Sequence, residues 1–117
     1  MRYGNQPRWG LHRTGAFKHK NLMDREHQLR DGELEALCFD YVKPHSFKDQ
    51  VEGYWRMQLS WGGPSDELRG YVNENRELHR LEYWYMDWYD GSEVILHPSC
   101  NAGMWNHMQE NIQCSII

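Results

Sequence analysis

The stretch Gln50-Val51-Glu52-Gly53-Tyr54-Trp55-Arg56-Met57-Gln58-Leu59-Ser60-Trp61 decides the fold. From Trp55 to Trp61 every second residue is large and apolar, and Tyr54, Arg56, Gln58 and Ser60 fall between them. Neighbouring side chains on a strand point to opposite faces, so this alternation describes a strand with one buried face. Gly62-Gly63-Pro64-Ser65-Asp66 follows at once and reads as a turn. Leu68–Val72 is then a second strand, and Asn73-Glu74-Asn75 supplies the next turn. Leu78–Tyr89 reads as a third strand, although Leu78, Leu81, Tyr85 and Trp88 also fit a helical face. Asp90-Gly91 is a hairpin signal, with Glu93–His97 as the returning strand.

Outside this centre the pattern weakens. Glu33–Val42 fits a helix through Leu34, Leu37 and Tyr41, and equally a strand through Leu37, Phe39 and Tyr41. Asn21 is placed to cap a helix reaching about Arg30, with Asp31-Gly32 ending it. Residues 1–20, with Gly4, Pro7, Gly10 and Gly15 and no sustained period, read as an irregular arm. Past Pro98, Ser99 is placed to cap a last helix whose apolar face is Met104, Trp105, Met108 and Ile112. The expected fold is α+β: an antiparallel meander of about four strands packed with one or two helices, forming a single domain over residues 21–117.

Composition narrows the function classes. The 117 residues carry 13 basic and 17 acidic side chains and are 14% aromatic, unlike a disordered chain. No apolar run of about 18 residues exists to cross a membrane, and residues 1–20 are too polar for a secretory signal. Cys38, Cys100 and Cys114 make no disulfide framework, so a reducing cytoplasm is expected. Residues 1–30 hold seven basic and two acidic side chains, net +5, whereas the remainder is net −9. This basic segment is either a solvated tail or a docking face for a charged partner. An excess of −9 is too small to mimic duplex DNA, which carries one charge per about 1.7 Å of axis.

Nine of the sixteen aromatic residues lie between Tyr54 and Tyr89. Tyr83-Trp84-Tyr85 and Trp88-Tyr89 cannot all enter one core, so some rings are expected on the second face of the sheet. Exposed Trp and Tyr anchor protein interfaces. They also stack on bases, but Leu78–Glu93 holds only Arg80 as a basic residue, which favours protein contact. Asp66, Glu67, Asp87, Asp90 and Glu93 stand at the turns, and no histidine, lysine or arginine motif completes an enzyme site around them. His97, Cys100, His107 and Cys114 have the chemistry of zinc ligands but match no zinc-binding spacing. No metal, cofactor or catalytic residue is therefore expected.

The run Leu59-Ser60-Trp61-Gly62-Gly63-Pro64-Ser65-Asp66-Glu67-Leu68, with Arg80–Trp84 and Asp87-Trp88-Tyr89-Asp90-Gly91, resembles small uncharacterised proteins of phages, prophages and plasmids. Gly53-Tyr54-Trp55 and Leu59-Ser60-Trp61-Gly62-Gly63 also resemble a stretch of the plasmid antirestriction family, with Trp61 replacing an Asn. The resemblance implies an anti-defence role, of the anti-CRISPR or antirestriction kind. On that implication the partner is a host CRISPR effector or restriction complex in the cytoplasm, with no direct binding of duplex DNA. The expected contact surface is an aromatic and acidic rim of Trp61, Asp66, Glu67, Tyr83, Tyr85, Asp87, Trp88 and Asp90. A small metal-dependent hydrolase or nuclease, or a self-associating structural phage protein, are the alternatives.

Overall fold

The computed structural model describes residues 9–62, 64–87 and 90–115, with side chains from Phe17 onward except that of Asp90. Two helices and five strands follow in the order α1 (Trp9–Arg30), β1 (Cys38–Val42), β2 (Tyr54–Ser60), β3 (Ser65–Val72), β4 (Leu78–Asp87), β5 (Asp90–Leu96) and α2 (Ala102–Cys114). The strands form one antiparallel sheet in sequence order, a meander. The fold is α+β, with one strand more than the sequence suggests.

That strand is β1. Pairing sets Phe39 opposite Met57 and Tyr41 opposite Trp55. Both rings then meet Trp55 with centroids 5.3 Å apart, a contact that a helix over the same residues would forgo. The apolar side of the sheet buries Trp55, Met57, Leu59, Leu68, Leu81, Tyr83, Tyr85 and Leu96 against Leu22 of α1 and Met104, Met108 and Ile112 of α2. Gly70 of β3 leaves room for this layer: a Cβ there would lie 3.1 Å from Met108 Cε. Trp105, at the margin of the same helix face, donates its Nε1–H to the Leu96 carbonyl at 2.9 Å.

Helix boundaries depart from expectation. The arm expected to be irregular through residue 20 is helical from Trp9, twelve residues before Asn21, while residues 1–8 lie outside the described part. Gly10 and Gly15 hide the helix in the sequence, yet Leu22, Leu29 and Arg25 dock its second half and each further turn costs only propagation. Its end is as expected. Gly32 takes φ +73°, its amide bonds the Leu29 carbonyl at 3.1 Å, and the Glu33 amide bonds Gln28 at 2.7 Å. These two bonds make a Schellman cap. Helix α2 starts after Asn101 rather than Ser99. The Asn101 side chain accepts the His97 amide at 3.0 Å and donates to Glu26 at 2.8 Å, tying α2 to α1.

Candidate protein-contact surface

Strict alternation would put Trp61 on the buried face and Ser60 opposite it. A register shift between Gln58 and Ser60 reverses both. The extra residue turns Ser60 toward the helices, opposite Asp66, and throws Trp61 outward, where it is 62% exposed. Gly62 follows at φ +101°, a left-handed conformation that glycine adopts without steric cost.

Beneath this bulge lies a polar cluster with no trace in the sequence pattern. Asp66 is fully buried. Arg25 of α1 grips it with two bonds, Nε to Oδ2 at 2.8 Å and Nη2 to Oδ1 at 2.9 Å. Tyr83 donates its hydroxyl to Oδ2 at 2.6 Å, and Ser60 donates to Oδ1 at 2.5 Å while accepting the Asp66 amide at 3.1 Å. Gln58 Nε2 donates to the carbonyls of Ser60 at 2.7 Å and Asp66 at 3.2 Å, pinning the bulge. Burial pushes the Asp66 carboxyl up, but bonds from Arg25, Ser60 and Tyr83 outweigh it and hold the group below its ordinary value. Burial and the bond to Asp66 drive the Tyr83 hydroxyl far upward, so it stays protonated.

The expected rim therefore changes. Asp66, Tyr83 and Tyr85 are buried under the helices, because register places all three on the apolar side. Glu67 is buried on the other side, where Arg69 Nε reaches it at 2.6 Å. Asp87 is half-buried at the end of β4. Gly63, Trp88, Tyr89 and the Asp90 side chain lie outside the described residues. Asp90 and Gly91 pair with Asp87 and Met86, so they belong to β5 and not to the turn. The β2–β3 and β4–β5 turns do share one sheet end, since Ser65 pairs with Met86. Of the rim residues whose side chains are described, Trp61 alone is exposed.

On the second face, where Trp84 is the one described ring of those expected there, arginines cover Trp84, Tyr54 and Tyr71. Arg69 lies between Tyr54 and Trp84, 4.9 and 4.1 Å from their centroids, and Arg80 lies 3.8 Å over Tyr71. Tyr54 and Tyr71 are buried as a result. Glu82 collects bonds from Tyr71 at 3.3 Å, Arg80 at 3.2 Å and Trp84 at 2.9 Å. Arg56 pairs with Asp40 at 2.8 Å, and Arg80 with Glu52 at 3.2 Å. Among the described residues, each arginine of this face, Arg56, Arg69 and Arg80, already holds a carboxylate, which leaves little positive potential for a phosphate backbone. A cleft of about 380 Å³ beside the 43–53 loop is lined by the same paired Arg69 and Arg80.

Among the described residues, no group of three or more His, Cys, Asp or Glu side chains is placed to hold a metal ion. His97 and Cys100 precede α2, while His107 and Cys114 stand two turns apart along it. No described helix is long and apolar enough to cross a membrane. Fold and surface together define a small α+β domain with a locked core and an exposed tryptophan at one sheet end. No family model matches the chain, and no curated protein or solved structure matches it.

Proposed function

We propose that this protein acts by binding another protein, with Trp61 as the anchor, and that its target is a host defence complex of the CRISPR or restriction type. The observation that carries the binding reading is the outward Trp61 on a bulge pinned by Gln58, Ser60 and Asp66. A large ring presented from a pinned backbone leaves less chain to be ordered on binding, and aromatic anchors of this kind are the common interface hot spots. The choice of target rests on the resemblance of Leu59–Leu68 and Asp87–Gly91 to mobile-element proteins. The net −9 of residues 31–117 suits the basic nucleic-acid channels of such complexes.

Calorimetry against purified effector and restriction complexes, paired with phage plating, tests this. The expected result is binding that weakens about tenfold to a hundredfold in Trp61→Ala, with an unchanged melting temperature. Absence of binding to every such complex, with plating unaltered, removes the target. Full affinity in Trp61→Ala removes the anchor.

A further inference from the structure

The sheet has two edges, and they are finished differently. On β5, Lys18 of α1 donates to the Glu93 carbonyl at 3.1 Å, and α1 packs along that strand. On β1, the last strand at the other edge, the described residues supply no such cap. The helices pack on β4 and β5, leaving the β1 side of their layer thinly covered. There Phe39 and Tyr41 share one face of β1, with Tyr41 44% exposed, and Leu37, 54% exposed, immediately precedes the strand. The strand pairs with β2 without a bulge and contains neither proline nor lysine, and its one charge, Asp40, is taken up by Arg56 of β2, so the devices that keep an edge from pairing are few.

We infer that β1 accepts an added strand, and that its occupant is an extended segment of a different protein in which apolar residues alternate with lysine or arginine. Unpaired strand amides and carbonyls are best matched by another extended backbone, and the Leu37–Tyr41 stripe supplies the side-chain pockets. Charge selects the partner. Glu33 and Glu35, both exposed, lead into the strand and Lys43 follows it, while Asp40 within it is already held by Arg56 of β2. A second copy pairing through β1 would set two such segments side by side, so self-pairing is opposed and a basic strand is favoured. This edge is distinct from the Trp61 anchor and stands or falls separately from it.

The test uses the whole protein and a synthetic peptide of about ten residues alternating valine and lysine. Two control peptides replace lysine by glutamate or methylate alternate amide nitrogens. Amide exchange and chemical shifts are followed by NMR up to millimolar peptide. The lysine peptide is expected to slow exchange in Leu37–Val42 and to weaken as salt rises. The glutamate peptide should bind at least about tenfold more weakly, and the methylated one should give no protection. Leu37→Lys, a change at an exposed position, should lower affinity for the lysine peptide about tenfold, whereas Trp61→Ala leaves it unaltered. Lack of protection in Leu37–Val42, or equal binding of the glutamate peptide, overturns the inference. So does concentration-dependent protection of β1 without peptide, accompanied by a dimer in sedimentation, because the occupant is then a second copy.

Discussion

At Asp66 four bonds from Arg25, Ser60 and Tyr83 converge on one buried carboxylate. Removing it leaves a guanidinium and two hydroxyls without their acceptor, so Asp66→Ala should cost about 3–5 kcal/mol, read as a shift in urea midpoint. The acid limb follows from the same contacts. Folding lowers the Asp66 pKa below its ordinary 3.8, so the unfolded chain takes up the proton first. The stabilisation is complete above that ordinary value and is lost as pH falls through the lower folded one. Asp66→Asn should remove this part of the acid dependence. For Tyr83 the sign is opposite in consequence. Its raised pKa means that above the ordinary value of 10.0 the unfolded chain releases a proton the folded chain retains. Stability should therefore fall as pH rises beyond that point, and less steeply in Tyr83→Phe.

Each helix is held to the sheet by an arginine as well as by its apolar face. In the turn between β3 and β4, Arg76 adopts φ +64° and extends Nη2 to the carbonyls of Ile112 and Ser115, the latter at 2.6 Å. Gln109 answers, donating to the Arg76 carbonyl at 3.0 Å and accepting the Leu78 amide at 2.7 Å. The Ile112 carbonyl thus accepts from both Arg76 and the Ser115 amide, and Ser115 Oγ donates to the Asn111 carbonyl at 2.9 Å, so two of the last carbonyls of α2 are satisfied from outside the helix ladder. Arg76→Met should cost about 2 kcal/mol and speed amide exchange selectively in the final turn of α2. A uniform rise across the helix would mean that the arginine acts through Trp55, over which it lies at 5.7 Å, and not as a clamp.

Over the whole molecule, chain order and packing order run against each other. The meander joins neighbours in sequence, but α1, at the other end of the chain from α2, packs on β4, β5 and α2. Its docking therefore closes the long contacts and needs the sheet complete. Such coupling predicts one cooperative transition. Leu22→Ala, which empties the main apolar contact of α1, should cost about 2–4 kcal/mol. Tryptophan fluorescence and helical circular dichroism should keep a common midpoint in this variant. Separated midpoints would show α1 leaving a sheet that stands without it.

The alternation from Trp55 to Leu59, the turns after Ser60 and Val72, the Gly32 helix end and the Met104–Ile112 stripe are legible because each depends on residues close in the chain. Side-chain period and turn chemistry are local properties, and they are enough to give an antiparallel meander with a helix behind it. A local window leaves Cys38–Val42 open between strand and helix until Trp55 is its partner, and it misses the helix over Trp9–Lys20, whose anchors lie farther along α1. The inward turn of Asp66 follows from its alternation with Leu68 along β3, whereas the outward turn of Trp61 depends on one unpaired residue between Gln58 and Ser60 of β2. Nothing in the alternation marks that slip, because a bulge is a property of two strands in register, and it reverses every side chain beyond it. The buried Asp66 cluster is likewise decided by tertiary structure: its charge is tolerable only where Arg25, forty-one residues away, arrives from a docked helix.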